Sequence, residues 1–101
     1  MLKKAYAKNG ATCKVTFSIS ADESGGAARA AVLGDWNGWD PEALPMKRRA
    51  DGGFEATAPL ATGREYAFRY LLDGERWEND WNADRYDLNP YATADNSIVM
   101  V

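Results

Sequence analysis

Residues 11–20 read Ala-Thr-Cys-Lys-Val-Thr-Phe-Ser-Ile-Ser, and this stretch decides the class of fold. Its apolar positions are Cys13, Val15, Phe17 and Ile19, and polar side chains occupy every position between them. A period of two is typical of a β-strand that buries one face and leaves the other in water. The stretch therefore predicts a half-buried strand.

A second strong strand is predicted further along the chain, at Tyr66 to Leu72. Alternation would place Tyr66, Phe68, Tyr70 and Leu72 on a core face, and Ala67, Arg69 and Leu71 on the opposite face. Weaker strand candidates are Ala28 to Trp36, Met46 to Arg49, Phe54 to Leu60, Arg76 to Glu78 and Ser97 to Val101. Short strands at regular spacing, without helical periodicity, predict an all-β sandwich.

Turn-forming residues separate these strands. The predicted turns are Ala21 to Gly26, Asn37-Gly38, Asp51 to Gly53, Thr62-Gly63 and Asp73-Gly74. Glycine, asparagine and aspartate suit such positions because they tolerate positive φ angles or bond to their own backbone. Met1 to Gly10 is predicted to be a loose or edge segment, and Asn79 to Asp95 a polar loop.

Length and composition set limits on the class of protein. The chain has 101 residues, which predicts one domain over 1–101 with its core from about residue 11 onwards. The net charge is −3 and no basic stripe is present, which argues against a nucleic-acid partner. One cysteine, no signal-peptide pattern and no apolar stretch of membrane-spanning length predict a cytoplasmic protein without a membrane partner.

The sequence contains few residues that suit catalysis or metal binding. There is no histidine, the commonest general base and transition-metal ligand. The stretch Asp80 to Asp84 begins like a calcium loop, but Arg85 and Tyr91 stand where that loop needs glycine and glutamate. The acidic residues of this region show no spacing that predicts a facing glycosidase pair. We therefore expect neither an enzyme, a metal site nor a cofactor.

Tryptophan is the unusual residue, with four in the chain. Trp36 continues a predicted strand and is expected in the core, whereas Trp39 and Trp77 each follow a turn. Exposed flat rings suit ligands such as sugars, whose C–H faces pack on an indole; the alternative is that these rings only anchor loops. Arg69 lies opposite the core face, where it is either a solvated charge or a donor to ligand hydroxyls.

An ordered set of motifs carries a family resemblance. It runs from Gly34-Asp35-Trp36-Asn37-Gly38-Trp39 through Leu44-Pro45-Met46, Phe54, Leu60, Gly63, Tyr66 to Tyr70, Asp73-Gly74 and Trp77 to Asn96 to Val99. In this order the motifs resemble carbohydrate-binding module family 48. That family includes N-terminal domains of glycogen branching and debranching enzymes and isoamylases, and the glycogen-binding domain of the AMP-activated protein kinase β-subunit. The resemblance spans about Lys14 to Val101.

The resemblance implies an immunoglobulin-like early-set (E-set) β-sandwich that binds α-1,4-glucan. In the kinase-type domain two tryptophans, a basic residue and an asparagine form the sugar site, and they match Trp39, Trp77, Arg69 and Asn96. One more residue separates Gly74 from Trp77 than is typical of the kinase domain. Because strand side chains alternate, Trp77 joins the site only if a bulge absorbs this residue.

Two functional hypotheses follow from the resemblance. The first is a non-catalytic module that binds α-glucan such as glycogen, starch or maltooligosaccharide. The alternative is a regulatory or protein-interaction subunit with a vestigial sugar site, whose partner is a glycogen- or starch-metabolising enzyme or a kinase-like protein. The stretch Asp84 to Tyr91 resembles the bacterial enzyme-linked members, in which the domain precedes a catalytic barrel and serves mainly for docking or binds sugar weakly.

Overall fold

Two antiparallel sheets pack face to face in the computed structural model, which describes residues 1–87 and 95–101. The strands are β1 (Leu2–Tyr6), β2 (Thr12–Ile19), β3 (Ala30–Gly34), β4 (Lys47–Arg48), β5 (Phe54–Ala61), β6 (Glu65–Leu72), β7 (Arg76–Glu78), β8 (Arg85–Asp87) and β9 (Asn96–Met100). A one-turn helix, α1 (Ala21–Ser24), follows β2, and a 3₁₀ turn (Asp35–Asn37) follows β3. This architecture confirms the predicted immunoglobulin-like sandwich.

The first sheet has the strand order β1-β2-β5-β4, and the second has the order β3-β6-β9-β8. Strand β6 is the centre of the second sheet. One edge of β6 pairs with β3, while its other edge pairs first with β9 and then, nearer its end, with β7. Strand β6 therefore positions β3, β7 and β9 directly, and β8 follows through its pairing with β9.

The core lies between the two sheets and follows the predicted alternation. The inward residues of β2 and β6 are buried: Cys13, Val15, Phe17, Ile19, Tyr66, Phe68, Tyr70 and Leu72. The Phe17 ring stacks on Trp36 at 5.2 Å between centroids and meets the edge of Phe68 at 5.0 Å. The expectation that Trp36 packs in the core is confirmed, although Trp36 lies in the 3₁₀ turn and not in a strand.

Two local elements differ from the sequence-based expectations, and a third, the amino-terminal segment, takes the edge position that was one of its two predicted forms. The predicted turn at Ala21–Gly26 contains α1, which a capping box stabilises: the Glu23 N–H donates to Ser20 Oγ, and the Ser20 N–H donates to Glu23 Oε1. The segment Met1–Gly10 contributes β1, an edge strand paired with β2. The predicted loop Asn79–Asp95 contains β8, which pairs with β9; residues 88–94 of that loop, including Tyr91, lie outside the described residues. The range 1–101 and the start of the core near residue 11 stay predictions.

In residues 1–87 and 95–101, no helix is both long and apolar enough to cross a membrane.

A buried polar pair closes one end of the sandwich. The Tyr70 hydroxyl donates to Asp80 Oδ2 at 2.6 Å, and both side chains are fully buried. The Asp80 carboxylate also accepts the Asn82 N–H and lies against the Met1 α-amino group. Burial, with the Asp80 charge adding to it, raises the pKa of Tyr70 well above its ordinary value of 10.0. The buried carboxylate of Asp80 therefore has a structural role.

The Tyr70 phenol makes stability depend on pH at the alkaline end. The unfolded chain loses the Tyr70 proton from about pH 10, whereas the folded chain keeps it. The contribution of this phenol to the free energy of unfolding is therefore fully present below about pH 10 and is lost as the pH rises further. One such group contributes a slope of up to about 1.4 kcal/mol per pH unit. We expect Tyr70→Phe to flatten the fall in unfolding free energy between about pH 10 and 11, measured by urea denaturation.

Tyr6→Phe is the matched control, because Tyr6 is 56% exposed and should leave the slope unchanged. Equal alkaline slopes for the wild type and Tyr70→Phe would contradict the assignment.

Candidate functional site

The outer face of the second sheet gathers the residues singled out by sequence. In the register of the sheet, Leu71 stands between Ala31 of β3 and Trp77 of β7, and Arg69 stands beside Leu33. These positions alternate with the buried core set, so their side chains lie on the opposite face. The structure places Trp39, Arg69, Trp77 and Asn96 together on this face.

Arg69 is the central polar group of the face. Its Nε donates to Asn96 Oδ1 at 3.0 Å, and its guanidinium carbon lies 5.0 Å from the centre of the Trp77 ring. A guanidinium over an indole is attracted by the ring quadrupole, and the planar fork holds its geometry. Arg69 is only 9% exposed as a result, so it is a packed and oriented charge and not the solvated one considered above.

Trp77 reaches this face because the hairpin contains a bulge. Between β6 and β7 two consecutive residues have positive φ angles, of 55° and 70°. The Glu75 N–H closes this turn on the Leu72 carbonyl, yet the strand register pairs Leu72 with Arg76. Glu75 and Arg76 thus both face Leu72, and this β-bulge accommodates the additional residue between Gly74 and Trp77. Trp77 consequently lies beside Leu71 and is 46% exposed.

Trp39 is held in an unusual backbone conformation. Its φ angle is 58°, in the left-handed region that bulky side chains rarely enter. The Trp39 N–H donates to the Gly34 carbonyl at 3.1 Å, and the ring packs on the small apolar cluster Ala31, Leu33 and Leu71. A conformation of this kind costs of order 1–3 kcal/mol and persists only where surrounding contacts impose it. The fold thus fixes Trp39 over the outer face.

Asp35 is the positioning residue that sequence reasoning missed. Its Oδ1 accepts the Trp39 Nε1–H at 3.2 Å, and its Oδ2 accepts the Ala67 N–H of β6 at 2.9 Å. One carboxylate therefore ties the indole to the central strand. The only sequence signal was its place in the Gly-Asp-Trp-Asn-Gly-Trp motif, because its partner Ala67 is 32 residues away.

The turn before Trp39 also differs from the expectation that Asn37 and Gly38 supply the positive φ angles. These angles fall on Gly38, at 66°, and on Trp39. Asn37 stays in the 3₁₀ turn because its side chain makes two bonds to the backbone of β3: Oδ1 accepts from the Gly34 N–H and Nδ2 donates to the Val32 carbonyl.

The remaining aromatic and acidic candidates lie elsewhere. Trp81 is 60% exposed, and its Nε1 lies 3.4 Å from Oε1 of Glu78, whose register partner is the core residue Tyr70 and not an outer-face residue. Asp84 accepts hydrogen bonds from Lys4 and from the Met100 backbone. Within the part of the chain that the structure describes, no three acidic or cysteine side chains are grouped closely enough to hold a metal ion.

An immunoglobulin-like sandwich with two tryptophans, an arginine and an asparagine on one sheet face is an arrangement expected of the class of carbohydrate-binding modules. The comparison with family models narrows this class. Residues 6–92 match the model described as carbohydrate-binding module 48 (isoamylase N-terminal domain), so the chain belongs to that family. The family resemblance seen in the sequence is confirmed.

Two curated relatives match part of the chain. Both are named 1,4-alpha-glucan branching enzyme GlgB 2 and come from two strains of Xanthomonas campestris pv. campestris. Each is 44% identical over 46 residues, which is 45% of this chain but only 6% of the relative. The chain thus corresponds to a small part of these long proteins.

The strained backbone of Trp39 gives a stability prediction. Glycine enters the left-handed region freely, whereas alanine pays about 1–2 kcal/mol there. We expect Trp39→Gly to be more stable than Trp39→Ala by about 1 kcal/mol in urea denaturation. Trp81 has no positive φ angle, so Trp81→Ala should be at least as stable as Trp81→Gly. If the glycine and alanine variants had the same order of stability at both positions, the assignment of backbone strain to Trp39 would be refuted.

Proposed function

We propose that this protein is a non-catalytic module that binds α-glucan chains, such as glycogen, starch or maltooligosaccharides, through the outer face of its second sheet. One observation carries the proposal: Trp39 packs on the apolar cluster that includes Leu71, Trp77 is the register partner of Leu71, and Arg69 and Asn96 lie beside them. Two separate flat rings over an apolar floor suit a ligand with successive ring faces. A chain of glucose units is such a ligand.

Each group then has a defined role. The Trp39 and Trp77 rings pack on the C–H faces of glucose units. Asn96 takes the Nε hydrogen of Arg69, and the outer guanidinium hydrogens and the Asn96 amide bond the sugar hydroxyls. Affinity should be modest, on the order of µM to mM, because few contacts must offset the ordering of a flexible oligosaccharide.

The choice of α-glucan rests on the relatives, which are named as 1,4-alpha-glucan branching enzymes. Absence of histidine from the sequence supports a binding role without catalysis. The proposed compartment is the cytoplasm, since the single cysteine, Cys13, is buried with its thiol free.

The alternative is a regulatory or protein-interaction subunit, with an enzyme or a kinase-like protein as partner. Three exposed aromatic side chains that the proposed sugar site does not use, Tyr6, Trp81 and Tyr86, favour it. It predicts co-purification with a larger protein and no retention on amylose resin.

Titration of the ¹⁵N-labelled protein with maltoheptaose tests the proposal. Trp39→Ala and Trp77→Ala should each weaken binding by about tenfold or more, because each removes a whole stacking surface. Trp81→Ala is the matched control, an exposed tryptophan outside the face, and should bind like the wild type. No shift of the Trp39 or Trp77 indole signals at millimolar ligand would refute the proposal.

The planar fork of Arg69 gives a second prediction. Lysine keeps the charge but can neither stack flat on Trp77 nor hold Asn96 with the same geometry. We expect Arg69→Lys to weaken maltoheptaose binding by about three- to tenfold in the same titration. Arg64→Lys is the control, because Arg64 also covers an aromatic ring, Tyr66, away from this face. Unchanged affinity for Arg69→Lys would show that the fork contributes nothing.

A further inference from the structure

A groove of about 560 Å³ opens beside the tryptophan-bearing face. Its floor includes Ala31 and Leu71, and its far side is formed by Pro41, Glu42 and Pro45 of the connection between β3 and β4. A volume of this size is within the range of small-molecule sites. None of the four residues predicted from the sequence lines this groove.

The wall of the groove is fixed to the sheet. The connection runs along the free edge of β3, where the Val32 N–H donates to the Leu44 carbonyl at 3.0 Å and the Met46 N–H donates to the Ala30 carbonyl at 2.8 Å. A backbone ladder of this kind holds Pro45 opposite Ala31, with which it forms an isolated bridge. The groove is therefore part of the folded sheet.

The groove continues directly from the proposed sugar face. Ala31 and Leu71 belong to the cluster on which Trp39 packs, and Leu71 is the register partner of Trp77. Ala31, Leu71 and Trp77 form a row across three neighbouring strands. Arg69 and Asn96 lie on one side of this row, and the groove extends on the other side, towards Arg29 and Gly74. The groove and the two tryptophans therefore share Ala31 and Leu71 as a common floor.

The lining suits a further sugar and not a purely apolar ligand. Pro41, Pro45 and Leu71 offer apolar surface, while Arg29 and Glu42 supply a donor and an acceptor. Among residues 1–87 and 95–101, neither of these two charged side chains makes a hydrogen bond or an ion pair. The Arg29 guanidinium lies over Gly74, where an added Cβ would come within 3.0 Å of Nη2. Glycine at this turn leaves room for the guanidinium at the groove.

We propose that this groove is an extension subsite that takes the next glucose units of an α-glucan already seated on Trp39 and Trp77. This inference rests on the proposed function. Arg29 and Glu42 bond sugar hydroxyls in the subsite, and Pro41, Pro45 and Leu71 contact the ring faces. The subsite makes the protein select longer chains over short ones.

The test compares maltotetraose with maltoheptaose by NMR titration of the intact chain. In the wild type, maltoheptaose should bind about tenfold more tightly, because two or more additional hydrogen bonds form. Arg29→Ala and Glu42→Ala should each weaken maltoheptaose binding about three- to tenfold and leave maltotetraose binding unchanged. Glu55→Ala, on the first sheet, is the matched control and should change neither ligand. The Gly74 amide signal should shift with maltoheptaose and much less with maltotetraose.

The outcomes separate the subsite from the proposed function. If both sugars bind in a Trp39-dependent way but the groove variants leave their affinity ratio unchanged, the subsite is refuted and the binding module stands. If neither sugar binds the wild type, both proposals fail. Unchanged fold in the groove variants, checked by their ¹⁵N spectra, ensures that a loss of affinity reports on the groove.

Discussion

The short turn between β3 and Trp39 is the constraint on which both faces of the second sheet depend. Within this turn Trp36 enters the core and stacks on Phe17 of the opposite sheet, while Trp39 packs on the outer-face cluster of Ala31, Leu33 and Leu71. The approach of Trp36 requires glycine at position 34, because a Cβ there would lie 2.3 Å from Trp36 Cζ3. Packing of the core and presentation of the site are thus decided within six residues, 34–39.

Strand β6 also contributes side chains both to the core and to the outer face. Its inward residues fill the core, and its outward residues, Arg69 and Leu71, form the middle of the candidate site. A site built on the central strand of a sheet is rigid, because its backbone is bonded on both edges. Most of the ordering cost of binding would then fall on the ligand and little on the protein.

The polar contacts of the face hold its aromatic rings in place. Asp35 joins the Trp39 indole to β6, and Arg69 joins the Trp77 ring to Asn96. Each tryptophan therefore has one charged side chain that fixes its orientation. The groove beside Leu71 extends this prepared surface, and its wall is likewise bonded to the edge of β3.

The sequence by itself determined the sandwich, the alternation of β2 and β6 and the outward position of Arg69, because a period of two is a local property of a strand. It did not reveal α1 or β8, whose existence depends on a capping box and on pairing with β9. It also left the side of Trp77 undecided, since one residue in a hairpin reverses a side chain unless a bulge absorbs it. Tertiary structure decided that point, the positive φ of Trp39 and the role of Asp35. Each depends on contacts between strands: the register of β6 with β7, the packing of Trp39 on Leu33 and Leu71, and the bond from Ala67 of β6 to Asp35.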